Sequence, residues 1–188
     1  MATTEVVRET LRLAQRLGFF GPGDLEPALS HADHFVQAIP PGPQLVTDLG
    51  SGGGLPGLVI AAARAELSVR LVERRQTRAD FLERAVRRLQ IADRVTVLTV
   101  DVTTLILDSD HAGRSDVVTA RGFAHPAVLA PLAASLVRPG GLIVVSDPPG
   151  DTGHRRWLGL PLADWSLEFA GTDGVVSMLR RSVVIPTP

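Results

Sequence analysis

The stretch Val46-Thr47-Asp48-Leu49-Gly50-Ser51-Gly52-Gly53-Gly54-Leu55-Pro56-Gly57 decides the fold. An apolar run takes up an acid near its end, turns through glycines and reopens as an apolar segment with helix character. Residues without a Cβ let backbone come close to a ligand, and the helix start that follows offers unpaired N–H groups. A strand, a glycine loop and a helix in that order form a nucleotide-type binding corner.

Downstream, short apolar runs alternate with helical segments. Leu45–Leu49 reads as a strand and residues 55–63 as its helix. Val69–Val72 is the next strand, with a helix over residues 77–89. Strands are expected at residues 95–100, 116–120 and 142–146, with a helix over Pro126–Leu136 and a turn at Arg138-Pro139-Gly140-Gly141. This alternation predicts an α/β fold, a doubly wound and mostly parallel sheet with crossover helices on both faces. The end differs: residues 166–170, a turn at Gly171-Thr172-Asp173-Gly174 and residues 175–185 read as an antiparallel hairpin. Upstream, helices are expected at residues 4–17 and from an Asp24 cap to Ala38. Pro40-Pro41-Gly42-Pro43 separates this helical cap, residues 1–43, from the main domain, residues 44–188. Five parallel strands closed by a reversed hairpin resemble the seven-stranded Rossmann-like fold of S-adenosylmethionine (SAM) methyltransferases.

The 188 residues suggest one domain with room for a sizeable core. No apolar run reaches the length of a membrane span, and Met1–Thr10 lacks an apolar signal core, so a cytoplasmic protein without membrane contact is expected. Without cysteine, disulfides and cysteine-ligated zinc are excluded, and the five histidines show no metal spacing. The net charge of −1 means that any nucleic-acid contact must use a local patch, with Arg74, Arg75 and Arg78 nearest the binding edge. Nothing in the sequence sets an oligomeric state.

The loop is not isolated. Glu73 stands 23 residues past Gly50 at the end of the second strand, where a carboxylate can accept from both hydroxyls of a ribose. The loop has no Lys-Ser/Thr pair for nucleoside triphosphates, and Pro56 removes an N–H that a pyrophosphate would use. Asp48 repels a pyrophosphate and suits the ammonium of a methionine group, or bonds to the loop itself. These points favour SAM over a nicotinamide dinucleotide, with Asp48, Gly50, Ser51, Gly52, Gly54 and Glu73 as its candidate contacts. Asp101 ends the third strand, facing an adenine or capping the helix at Thr103. Arg121 follows the fourth strand at the end where open α/β sheets place ligands, and is the candidate catalytic residue and a further cofactor contact.

The segment from Asp48 to Gly57 resembles the SAM loop of the bacterial small-subunit ribosomal RNA guanine-N7 methyltransferases (RsmG, or glucose-inhibited division protein B), and its Leu55-Pro56-Gly57 tail is the most specific part. Arg78–Leu82 and Ala120-Arg121-Gly122-Phe123-Ala124 resemble two further family segments. Phe20-Gly21-Pro22 and His34-Phe35 look like the entry helix of actinobacterial members. The resemblance implies that Gly50 and Leu55 line the SAM pocket, that Val102 and Thr103 hold the adenine through backbone contacts, and that Arg121 reaches SAM or substrate. It implies methyl transfer to guanine N7 in ribosomal RNA, with the RNA or the small subunit as partner. The chain departs from the family at Thr103, where a carboxylate is usual, and at Ser146-Asp147-Pro148, where Leu-Lys-Gly is usual. A methyltransferase of a small molecule or protein, and a SAM-binding homologue without catalysis, are the alternatives.

Overall fold

A computed structural model describes residues 2–150 and 153–183. Two helices come first, α1 (Ala2–Arg16) and α2 (Glu26–Ala38). Then β1 (Leu45–Leu49), α3 (Gly57–Ala63), β2 (Ser68–Val72), α4 (Gln76–Arg88), β3 (Val95–Leu98), α5 (Val102–Leu105), β4 (Ser115–Ala120), α6 (Pro126–Leu136) and β5 (Val137–Ser146) alternate. Two short 3-10 turns, Gly153–Trp157 and Leu162–Trp165, lead to β6 (Leu167–Asp173) and β7 (Val176–Arg181). The sheet has seven strands in the order β3-β2-β1-β4-β5-β7-β6. The first five run parallel, and β7 lies antiparallel to both β5 and β6. The expected α/β sheet with its closing hairpin is therefore the observed architecture.

The strands are apolar because both faces are covered. Val117, Leu142 and Val144 point to the side of α2, α3 and α4, where Phe35, Leu58, Ile60, Phe81 and Leu82 meet them. Their sequence neighbours Val118, Ile143 and Val145 point to the other side, against Leu129, Ala133 and Leu136 of α6. A third cluster joins Val7, Leu11, Leu25, Leu29, Leu55 and Val59, so α1 and α2 pack on α3. Gly57 permits the tight seat of α3 on β2: a Cβ there would stand 2.4 Å from Leu71 Cδ2 and 2.6 Å from Asp48 Oδ2.

Several boundaries differ from the sequence reading, among them the third strand, which ends at Leu98 rather than residue 100. Residues 137–141 belong to β5, because Ser115 pairs with Val137 and Val117 with Leu142, leaving Arg138–Gly141 as a bulge rather than a turn. The hairpin turn is Gly174-Val175, since Thr172 and Asp173 still pair across the strands with Ser177 and Val176. Positions 184 and 185 of the expected last strand lie outside the described residues. The first helix ends at Arg16, and Leu17, expected as its last residue, is half exposed just past it. Among the described residues, no helix is long and apolar enough to cross a membrane.

Candidate active site

The carboxyl ends of β1, β2 and β3 meet one cavity of about 480 Å³, a volume in the range of small-molecule sites. Gly50, Glu73, Asp101, Val102 and Thr103 line it, with Arg74, Arg75 and Arg78 at one side. Phe123, Val128 and Leu132 form an apolar wall. Val128 and Leu132 are one turn apart on α6, so a helical period was visible, but periodicity alone does not separate a core face from a pocket wall. Val128 is 54% exposed, which marks it as cavity rather than core.

Glu73 is 5% exposed yet bonded on both oxygens. Oε2 accepts from Gly52 N at 3.0 Å and Oε1 from Arg75 N at 2.8 Å. A carboxylate has about four acceptor positions, so two remain for a ligand's hydroxyl groups. Asp101 is both cap and wall: Oδ1 accepts from Thr103 N at 3.0 Å and from Thr103 Oγ1 at 2.8 Å. Those bonds, the backbone one first, hold its carboxyl below the ordinary range. Arg74 stands 3.5 Å from its Oδ2.

The glycine loop is fixed from behind. Ser51 N donates to Val72 O at 3.0 Å, and its hydroxyl donates to Asp48 O at 3.0 Å. Gly50 takes φ +68°, and a Cβ there would stand 2.8 Å from the Phe123 ring, so only glycine lets that ring close on the loop. Ser51, Gly52, Gly54 and Leu55 are buried beside the cavity and do not form its wall; the Leu55 side chain packs into the α1–α2–α3 cluster.

Asp48 is wholly buried beneath the loop and off the cavity wall. Oδ1 accepts from Thr119 Oγ1 at 2.8 Å, and Oδ2 has no partner in hydrogen-bond geometry among the described residues. Burial pushes its carboxyl up to about 6, against the Thr119 hydrogen bond and the Arg121 charge. Burial likewise draws the Arg121 guanidinium below its ordinary value, and Asp48 opposes this. The Arg121 charge, after burial itself, also lowers the pKa of His31 on α2. Arg121 does not itself line the Glu73–Asp101 cavity, whereas the next residue, Gly122, does.

Beyond β5, Asp147 does not face open solvent. It is 6% exposed, and its oxygens accept from Ser177 Oγ at 2.8 Å, Gly153 N at 2.9 Å and Arg156 Nη1 at 3.3 Å. Arg156 escaped the sequence reading because no periodic or motif signal marks it. Among the described residues, no group of three or more acidic or histidine side chains is placed to hold a metal.

Sheet order, glycine loop and strand-end acids together define the Rossmann-like methyltransferase fold. A solved SAM-dependent O-methyltransferase from Thermotoga maritima shares it, with a TM-score of 0.64 and 14% identity over 84% of this chain and 67% of that one. The model of the GidB family, rRNA small subunit methyltransferase G, matches residues 29–147. Ribosomal RNA small subunit methyltransferase G of Acidiphilium cryptum is 37% identical over 138 residues, 70% of this chain and 60% of that protein. Its counterpart in Sorangium cellulosum is 34% identical, over 73% of this chain and 58% of that protein. The chain belongs to the rRNA small subunit methyltransferase G family. It spans about three fifths of the length of these two relatives.

Proposed function

We propose that the protein is a SAM-dependent methyltransferase of the cytoplasm that methylates a guanine N7 in small-subunit ribosomal RNA, with residues 1–43 as a cap on a catalytic domain of residues 44–188. The observation that carries the cofactor reading is Glu73: a buried strand-end carboxylate, already oriented by Gly52 and Arg75, with acceptor capacity left over toward the cavity. Glu73 would hold the ribose hydroxyls. Asp101, Val102 and Thr103 would meet the adenine edge, and Phe123, Val128 and Leu132 its face. The backbone of the loop from Gly50 to Leu55 would lie along the rest of the cofactor, with Arg121 beyond it as the cation for a carboxylate or for the acceptor. The fit is chemical: paired hydroxyls meet an anion, and a flat base meets an apolar wall. SAM supplies an electrophilic methyl group.

Guanine N7 carries a free lone pair, so no general base is required of the chain. What the residues must do is align the acceptor with the methyl group and exclude water. The partner follows from the family: the named activity of the relatives is on small-subunit ribosomal RNA. The basic side of the cavity, Arg74, Arg75 and Arg78, supplies phosphate contacts in a chain of net charge −1. That low net charge also favours a second reading, a small-molecule acceptor.

Transfer of labelled methyl from SAM to small ribosomal subunits and to a metabolite extract separates these readings. Label recovered as N7-methylguanosine after RNA digestion is the expected result. Label in the extract alone overturns the RNA acceptor, and SAM binding without transfer to either overturns the enzyme.

A further inference from the structure

A second cavity, of about 160 Å³, lies past Phe123 at the carboxyl ends of β4 and β5. It shares Gly122, Phe123 and Ala124 with the larger cavity, so one ridge separates the two. Its far wall is Ser146, Asp147, Pro148 and Arg156. Arg156 comes from the 3-10 turn Gly153–Trp157, beyond the residues that the family model matches.

The Arg156 side chain is 11% exposed and that of Asp147 is 0%. Nη1 donates to Ser146 O and to Asp147 Oδ1, and the guanidinium lies 5.7 Å from the Trp157 ring centroid. These contacts fix the fork. Nε and Nη2 have no hydrogen-bond partner among the described residues.

Three features limit what this cavity accepts. Its volume suits one heterocycle rather than a whole nucleotide. Its charge is cancelled, because Asp147 pairs with Arg156, so a neutral polar group is favoured over a phosphate. Its available groups on Arg156 are donors only, because a guanidinium has no acceptor. The base edge that matches Arg156 therefore presents acceptors. Guanine offers O6 and N7 on one edge, whereas adenine places an amino donor where guanine has O6.

We infer that this cavity is the acceptor-base subsite and that Arg156 is a specificity-determining residue, donating to guanine O6 and leaving N7 open toward the Phe123 ridge. The inference rests on the methyltransferase reading above and adds to it a residue and a means of choosing guanine.

The test uses the full chain and small ribosomal subunits that lack the modification. SAM affinity is measured by calorimetry, methyl transfer to the subunits by kcat/KM, and folding by thermal melting. Arg156→Lys keeps the charge and loses the fork. The double variant Arg156→Met with Asp147→Asn removes both charges together, so no buried charge is left alone. Both variants are expected to keep SAM affinity within about twofold and to lose roughly 5- to 150-fold in kcat/KM, the range for one base-edge contact. Wild-type kcat/KM in a folded double variant, or full rescue by Arg156→Lys, overturns the subsite. Wild-type protein that binds SAM and leaves guanine unlabelled overturns this inference together with the reading it rests on.

Discussion

The carboxyl ends of β1–β3 and those of β4–β5 are built by opposite means. On the first side, every polar group sits within a few residues of a strand end: Gly50 and Ser51 after β1, Glu73 after β2, Asp101 after β3. Their partners are backbone N–H groups at the strand ends, two of them local, at Arg75 and Thr103, and one, Gly52, from the neighbouring loop. On the second side, Arg121 and Asp147 again follow strand ends, but the partners of Asp147 come from distant elements. Asp147 is held by Ser177 of β7 and Arg156 of a 3-10 turn, and Arg121 feels Asp48 across the sheet edge. In the proposed reading, the half made of strand-end motifs holds the cofactor and the half tied by long-range contacts meets the acceptor.

The largest expected effect falls on the second side. Asp147→Ala leaves Arg156 as an unpaired buried charge and is expected to cost about 3–5 kcal/mol by urea denaturation. A loss below about 1 kcal/mol would show that the pair does not hold the two segments together. Next comes Asp48, whose carboxyl is raised to about 6 from 3.8. A carboxyl raised by folding binds its proton more readily in the folded chain, so the cost of burying its charge is present above about pH 6 and relieved as pH falls toward 3.8. At about 1.4 kcal/mol per unit, that cost is at most about 3 kcal/mol. Asp48→Asn is therefore expected to be most favourable relative to wild type at pH 8. The difference should shrink between pH 6 and 4; a constant difference across that window would remove the assignment.

On the first side, Glu73→Ala is expected to weaken SAM binding at least tenfold by calorimetry, since hydrogen bonds to a charged group contribute about 1.5–3 kcal/mol. Unchanged affinity would take the ribose role from Glu73. The smallest effect is expected where neither half is involved. Arg87 pairs with Glu83 at 3.6 Å on the exposed face of α4, and Arg87→Ala should change stability by less than about 0.5 kcal/mol.

The comparison also explains what could be read from sequence. The glycine loop and the alternation of apolar runs with helices were legible because each is a local pattern with its own period. Strand order was not contained in any such pattern: β4 lies beside β1, and β7 between β5 and β6, only through long-range pairing. Pro139-Gly140-Gly141 carries the composition of a turn and forms a bulge, because β4 continues past it. Asp147 was legible as an unusual residue and not as half of a pair, since its partner lies nine positions away in an irregular turn. Glu73 and Asp101 were visible as strand-end acids, but their bonds to Gly52, Arg75 and Thr103 required the folded backbone. Asp48, read toward a ligand's ammonium or toward the loop itself, stands beneath the loop against Thr119.

The bond from Gly52 N to Glu73 Oε2 ties the glycine loop to the end of β2 before anything enters the cavity. A loop that had to be ordered by its ligand would draw that entropy from the affinity. Here the chain has already done the ordering, with a bond between residues 21 positions apart. The same carboxylate that would receive a ribose acts as the latch of the loop, so a substitution at Glu73 changes the shape of the loop as well as the grip on a cofactor.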